Sequence, residues 1–286
     1  MLQNRATLKQ IRFHLLSELR QIYTENETDS IVRLIMEHLG YPLSVSLREP
    51  DQVPIPSVTG QINALVADIR AGLPIQYVLG QTYFCELRIE VDNRVLIPRP
   101  ETEEMVEHIR ARINNPVQKI IDLGTGSGCI ALALKYYFPD AEVWGVDLSK
   151  EALSVAEENG KNNKLHINWG EMDLLNQQPM EQSLPFDLVV SNPPYVMNSE
   201  RKMMARNVSE FEPESALFVA DDDPLIFYRA IASFCKEYLA GRGEIWVEIN
   251  EQFGAETAKL FKKEGFGQVR ILRDIHEKER YINARR

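Results

Sequence analysis

The sequence predicts an α/β fold: a mostly parallel, doubly wound sheet with an antiparallel C-terminal edge hairpin, preceded by a small all-α domain. Three observations lead there. Apolar residues over the first 75 positions recur at helical spacing. From Glu101 onward, short apolar runs alternate with amphipathic helical stretches. The last two runs, around Val269–Leu272 and Tyr281–Ala284, have no helix between them, which suits an antiparallel pair at one sheet edge.

Taken in order, Leu8, Ile11, Leu15, Leu19 and Ile22 fall on one helical face. A second helix opens at Asp29-Ser30, carries Ile31, Leu34, Ile35 and Leu39, and stops at Gly40. A loop with Pro42, Pro50, Pro54 and Pro56 leads to a third stripe, Ile62, Leu65, Val66 and Ile69, closed by Gly72 and Pro74. Residues 1–75 thus form the helical domain. Residues 76–100 alternate from Tyr83 to Val91 and again from Val95 to Ile97, which predicts a β-hairpin linker turning at Asp92-Asn93. Residues 101–286 hold the sheet. Its strands are 119–124, 142–147, one within 166–175, one ending at Ser191, and 243–249. The intervening helices run from Cys129 to Phe138, from a Ser149 cap to about Asn162, from Asp223 to Leu239, and from Gln252 to Glu264.

Composition narrows the function. No run approaches the roughly 20 apolar residues of a membrane span, and Lys9, Arg12 and His14 interrupt the N-terminal apolar positions, unlike a signal peptide. The cytoplasm is the expected compartment. Cys85, Cys129 and Cys235 are odd in number and widely spaced, which suits reduced, packed thiols; the five histidines are scattered, so no metal site is expected. Net charge is −10, while residues 1–75 hold seven basic and eight acidic residues. Direct nucleic-acid binding, which needs a basic stripe, is not expected, and neither is a membrane partner.

Two segments carry chemistry. Asp122-Leu123-Gly124-Thr125-Gly126-Ser127-Gly128 joins the first strand of the sheet to a helix, where glycines permit a tight turn and close ligand approach. Asp147 ends the next strand, nineteen residues past Gly128, where a carboxylate accepts hydrogen bonds from ribose hydroxyls. Asp173, after the third strand, is placed to accept from an adenine amino group. These positions locate an adenosine, either of S-adenosylmethionine or of NAD. Cys129 stands where the dinucleotide fingerprint wants its third glycine, which counts against NAD.

Ser191-Asn192-Pro193-Pro194-Tyr195 closes the fourth strand. Its two prolines fix two φ angles and remove two donors, leaving carbonyl oxygens, the Asn192 side chain and the Tyr195 ring. The lone pair of a planar amide or aromatic amine is delocalised and weakly nucleophilic. Two acceptors, Asn192 Oδ1 and the Pro193 carbonyl, would hold both its N–H groups and aim the nitrogen at an activated methyl. Tyr195 would stack on the flat acceptor. A base is unnecessary, because a methylated amide nitrogen loses its proton readily.

With these residues in view, the sequence resembles the release factor glutamine methyltransferase family over nearly its whole length. The resemblance rests on Pro74-Ile75-Gln76-Tyr77-Val78-Leu79-Gly80, on Val95-Leu96-Ile97-Pro98-Arg99-Pro100-Glu101-Thr102-Glu103, on the glycine loop, and on the Asn-Pro-Pro-Tyr turn; Glu212-Pro213 through Ala216-Leu217 is a looser match. It implies a Rossmann-like class I methyltransferase domain that uses S-adenosyl-L-methionine, yields S-adenosyl-L-homocysteine, and methylates a glutamine side chain of a peptide chain release factor. The enzyme would be a monomer with its helical domain docking that protein. The resemblance assigns the cofactor to Gly124, Thr125, Gly126, Ser127, Gly128, Asp147, Asp173, Leu174 and Asn192, with Leu174 packing on adenine. It assigns catalysis and glutamine binding to Asn192, Pro193, Pro194 and Tyr195, with Phe84 near the transferred methyl. Arg99, Glu101 and Thr102 would shape the floor between domains, or serve as interdomain packing and helix capping.

Three positions depart from the family pattern. Glu86 and Asn250 stand where glycine is common, and Asp223-Pro224 replaces a glycine before a helix. Two rivals share the chemistry, a ribosomal-protein glutamine methyltransferase and an adenine- or guanine-directed enzyme; a nucleotide-binding scaffold or an NAD oxidoreductase would not need the Asn-Pro-Pro-Tyr acceptors.

Overall fold

The computed structural model describes residues 5–113, 116–176 and 185–286. The chain divides into two compact units: Met1–Gly80 with Arg206–Phe211, and Gln81–Ala205 with Glu212–Arg286.

The first unit is helical: α1 (Leu8–Leu19), α2 (Glu25–His38), α3 (Leu43–Arg48), α4 (Pro56–Arg70) and α5 (Ile75–Leu79), with a one-turn helix at Arg206–Ser209. The spacing of Leu8, Ile11, Leu15 and Leu19 buries all four against Ile31, Ile35, Ile62 and Ile69. Ile22 lies past the end of α1 and is 43% exposed, so the periodicity overran the helix by one residue of the stripe. α2 starts before Asp29 because Thr24 and Glu27 form a capping box, the Thr24 N–H donating to Glu27 Oε2 at 2.9 Å. Pro42 opens α3 inside the expected loop, a position where proline's fixed φ is compatible with a helix start. Among the described residues no helix is long and apolar enough to cross a membrane.

The second unit opens with a hairpin of β1 (Gln81–Phe84) and β2 (Leu87–Glu90), followed by α6 (Pro100–Arg112). The hairpin turns at Cys85-Glu86, not at Asp92-Asn93: both residues are left-handed, φ 47° and 66°, as a two-residue turn between twisted strands requires. Glu86 therefore occupies a backbone conformation that glycine adopts freely. Asp92 instead closes a turn by accepting the Val95 N–H at 3.1 Å.

The main sheet comprises β3 (Lys119–Leu123), β4 (Glu142–Asp147), β5 (Asn168–Glu171), β6 (Phe186–Ser191), β9 (Leu239–Glu248), β10 (Gln268–Arg273) and β11 (Glu279–Arg285); β7 (Val196–Met197) and β8 (Phe218–Val219) pair separately. Strand order is β10-β11-β9-β6-β3-β4-β5, with β11 antiparallel to β9 and to β10 and the other pairs parallel. α7 (Cys129–Tyr137) follows β3 and α8 (Lys150–Asn163) follows β4, while Ile226–Tyr238 and Gly254–Lys263 form later helices. The central strands β3 and β6 are mostly apolar, Ile120, Ile121, Leu188, Val189 and Val190 being fully buried, as expected for parallel strands covered on both faces, with Asp122 and Ser191 the buried polar residues among them. Order reverses at β3: β4 and β5 extend the sheet one way, β6 and β9 the other. A crevice at the carboxyl ends of β3 and β6 follows from that reversal.

Candidate active site

Strand register sets the site. Leu123 pairs with Val146 and with Ser191, and Ser191 pairs with Val247. The next residue on each chain therefore stands level with its neighbours: Asp147, Gly124, Asn192 and Glu248 form a row across four strand ends. The buried Ser191 hydroxyl pins two of those ends by donating to the Leu123 carbonyl at 2.6 Å.

The turn after β3 needs its glycines. Gly124, Gly126 and Gly128 have φ of 75°, 54° and 82°, alternating with Thr125 and Ser127, and a side chain at any of the three would be strained. The Val146 carbonyl accepts from the N–H groups of both Gly124 and Thr125 at 2.9 Å. The Thr125 hydroxyl donates to Asp122 Oδ2 at 2.6 Å. Asp122 is fully buried and its Oδ1 has no partner; burial pushes its carboxyl up to about 7, against the pull of the Thr125 hydrogen bond. Trp169 of β5 lies across Gly145 and Gly128, where a Cβ would sit 2.4 Å and 2.8 Å from its ring. Asn159 of α8 ties the turn to the hairpin: its Nδ2 donates to the Ser127 carbonyl at 3.0 Å and the Glu90 carbonyl at 2.9 Å, and its Oδ1 accepts the Glu90 N–H at 2.6 Å.

Asp147 Oδ2 accepts the Gly126 N–H at 2.8 Å and Oδ1 the Ser149 N–H at 2.9 Å. Burial raises its carboxyl above the ordinary value, opposed by those backbone donors. Ser149 then caps α8, accepting the Ala152 N–H at 3.1 Å.

A cavity of about 410 Å³ opens over the Asp147, Gly124 and Asn192 part of this row, within the roughly 300–1,000 Å³ of small-molecule sites. Of the residues selected from the sequence, Gly124, Gly126, Asp147, Asp173, Leu174, Asn192, Pro193 and Pro194 line it together. Thr125, Ser127 and Gly128 are not in its wall; buried, they shape the turn from behind. Phe84 also lies outside the wall, 1% exposed at the end of β1, where strand pairing with Leu87 turns it into the interior. Asp173 accepts the Leu175 and Asn176 N–H groups and the Asn176 side chain, and the Asn176 bonds hold its carboxyl below the ordinary value. Leu148, not selected from the sequence, lines the cavity and is 61% exposed. With half-buried Leu174 it offers apolar surface to a flat ring, next to the Asp147 carboxylate; Glu151 also lines the cavity.

The Asn192 turn is anchored from below. Asn192 Nδ2 donates to Thr102 Oγ1 at 2.9 Å, which turns Oδ1 away from Thr102. Tyr195 is absent from the cavity wall: its hydroxyl donates to Glu248 Oε1 at 2.8 Å and its ring packs on the sheet core. Through that hydroxyl it anchors the turn. Burial raises the Tyr195 hydroxyl well above its usual range, with the Glu248 charge adding to it. Asn250 donates to the Tyr195 carbonyl at 3.2 Å and so braces the same turn. The two segments around Arg99 and Glu212 meet: Glu212, nearly fully buried, accepts from Arg99 at 2.6 Å and from the Ile97 N–H at 3.0 Å. Among the described residues no group of three or more His, Cys, Asp or Glu side chains could hold a metal.

Residues 100–217 match the family model described as the methyltransferase small domain. The release factor glutamine methyltransferase of Flavobacterium psychrophilum is 37% identical over 282 residues, covering 97% of this chain and 98% of that protein. The protein of the same name from Bacteroides thetaiotaomicron is 34% identical, covering 98% of this chain and all of its own length. Among solved structures, a 16S rRNA methyltransferase of Thermus thermophilus in complex with AdoMet and guanosine superposes with a TM-score of 0.51 at 17% identity, over 72% of this chain and 49% of that one. At that identity the likeness is one of fold.

Proposed function

Because the chain belongs to the release factor glutamine methyltransferase family, we propose that it transfers a methyl group from S-adenosylmethionine to the side-chain amide nitrogen of a glutamine in a peptide chain release factor, in the cytoplasm. One observation carries this reading: the ribose-type carboxylate Asp147, the glycine turn and the Asn192 amide stand in one row over one cavity.

The cavity suits that cofactor. Its volume, the exposed Leu148 beside Leu174, and the Asp147 carboxylate match a flat base on a diol-bearing ribose, with the glycine turn facing the tail. When bound, S-adenosylmethionine supplies a methyl on a positively charged sulfur, an activated leaving group.

The chain's own residues then align the acceptor. Asn192 Oδ1 and the Pro193 carbonyl accept the two N–H groups of the glutamine amide, fixing the plane in which its nitrogen lone pair can develop. As positive charge builds on that nitrogen, the same two oxygens stabilise it without reorganising, since Pro193-Pro194 hold the turn stiffly. The nitrogen loses its proton to water after transfer, so no side chain is required as a base. An ester or alcohol has no pair of donors and is rejected; a primary amide or exocyclic amine fits.

Docking of the protein acceptor is assigned to residues 1–75, whose near-neutral balance of seven basic and eight acidic residues suits a protein better than nucleic acid. Incubation with labelled cofactor and, separately, unmethylated release factor, ribosomal proteins and DNA, followed by mass spectrometry, should find one methylated glutamine in the release factor. Label in DNA or ribosomal protein alone would overturn the assignment. Asn192→Ala should keep S-adenosylhomocysteine binding and lose transfer by roughly 100-fold or more, the scale seen when one charge-stabilising partner is removed.

A further inference from the structure

Beneath the acceptor turn runs a chain of hydrogen bonds that the reaction itself does not require. Asn192 Nδ2 donates to Thr102 Oγ1 at 2.9 Å, Thr102 Oγ1 donates to Glu248 Oε2 at 2.6 Å, and Tyr195 donates to Glu248 Oε1 at 2.8 Å. Glu248 is 1% exposed and Thr102 2%, so water does not compete for these bonds.

The direction of the chain follows from proton inventory. A threonine hydroxyl has one proton. Burial raises the Glu248 carboxyl, opposed by the two hydroxyls that donate to it and by the Arg280 charge. With both of its oxygens accepting, Glu248 takes the Thr102 proton, and Thr102 is left with lone pairs alone toward Asn192. Only the NH2 end of the Asn192 amide can then face Thr102, whichever way the amide is drawn. Its oxygen end is forced the other way. A primary amide acceptor needs that oxygen, because an NH2 end presented to the glutamine NH2 would set donor against donor.

We infer that Thr102 and Glu248 are positioning residues that fix the polarity of the Asn192 amide, and thereby make the site an acceptor of N–H groups. The inference rests on the proposed role of Asn192. Neither residue touches the acceptor or the cofactor; Thr102 acts through Asn192, and Glu248 acts through Thr102 and Tyr195. Register places Glu248 for this task, since it is the β9 member of the row that also holds Asn192.

The test compares Thr102→Val, which keeps the shape and removes the hydroxyl, with Thr102→Ser, which keeps the hydroxyl. In full-length enzyme labelled with ¹⁵N-asparagine and saturated with S-adenosylhomocysteine, the Asn192 side-chain signal (identified by its loss in Asn192→Asp) should show one slowly exchanging proton. That protection should vanish in Thr102→Val and persist in Thr102→Ser. In transfer assays on unmethylated release factor, Thr102→Val should lower kcat roughly 10- to 100-fold, the scale for groups that orient a functional side chain, with KM nearly unchanged. Thr102→Ser should stay within about threefold of the parent, and S-adenosylhomocysteine affinity should be retained in both. Undiminished kcat or intact protection in Thr102→Val, or an equal loss in Thr102→Ser, overturns the inference. A parent enzyme that leaves the release factor unmethylated overturns the substrate assignment instead, and the exchange measurement still decides the positioning role.

Discussion

Replacing Asn159 with alanine isolates the clamp between the glycine turn and the hairpin. The side chain is fully buried and makes three hydrogen bonds, at 2.6, 2.9 and 3.0 Å, to the Glu90 N–H, the Glu90 carbonyl and the Ser127 carbonyl. Truncation strands all three backbone groups. At about 1 kcal/mol each, the low end of the range because water can enter the vacated space, the loss is about 3 kcal/mol. Alanine's better helix propensity returns about 0.5 kcal/mol, leaving a destabilisation of about 2–3 kcal/mol. Urea unfolding followed by tryptophan fluorescence reports on the right unit, since Trp144, Trp169 and Trp246 all belong to it. The midpoint should fall, and S-adenosylhomocysteine affinity should weaken with it, because Ser127 is part of the turn. Asn159→Asp should be at least as damaging, since it sets a carboxylate oxygen against two carbonyls. A loss below about 0.5 kcal/mol, or an aspartate variant milder than alanine, would show that the clamp does not hold the turn.

Three further expectations concern the same region. Asp147→Ala should raise the S-adenosylhomocysteine dissociation constant roughly 10- to 100-fold by calorimetry, the scale of hydrogen bonds to a charged group; an unaltered constant would remove its cofactor role. Gly145→Ala places a Cβ 2.4 Å from the Trp169 ring and should destabilise by about 1–3 kcal/mol while perturbing tryptophan emission; a variant as stable as the parent would contradict that packing. Asp122, pushed up to about 7 from an unfolded value of 3.8, holds its proton in the native state across that interval. The folded chain then binds more protons than the unfolded one, so unfolding free energy falls as pH rises from about 4 to about 7, by at most about 4 kcal/mol. Asp122→Asn should flatten that segment of the stability profile, and parallel profiles for the two proteins would disprove it.

Local chemistry was readable from the sequence wherever it was contiguous. The sheet announced itself through apolar runs, because parallel strands buried on both faces leave little room for polar residues. The glycine turn and the Asn-Pro-Pro-Tyr segment sit on single stretches of chain, and eight of the residues drawn from them and their neighbours share one cavity. What stayed hidden depends on three-dimensional proximity or on unusual backbone. Thr102 meets Glu248 across 146 positions, a contact that only strand register and the packing of α6 create. The Cys85-Glu86 turn carries no Asn-Gly or Asp-Gly signature, so Asp92-Asn93 attracted the prediction instead. Phe84 reads as a ligand-facing aromatic, yet it is buried at the end of β1, and the partly buried Tyr195 gives its hydroxyl to Glu248, a contact the sequence does not show. Leu148 gave no signal because its exposure, at a strand end, is a property of the fold.

The strand-end row also fixes a length. Asp147 and Asn192 are separated by two strand intervals, roughly 10 Å, set by the ladder of backbone hydrogen bonds instead of by loops. On the proposed reading the interval is the gauge between the sugar and the travelling methyl. A cofactor lengthened by one methylene between ribose and sulfur would overshoot the amide, and no loop adjustment could recover the match. Engineering the enzyme for bulkier transferred groups must therefore work sideways, around Pro194 and the Asn192 turn, because the spacing along the row belongs to the sheet.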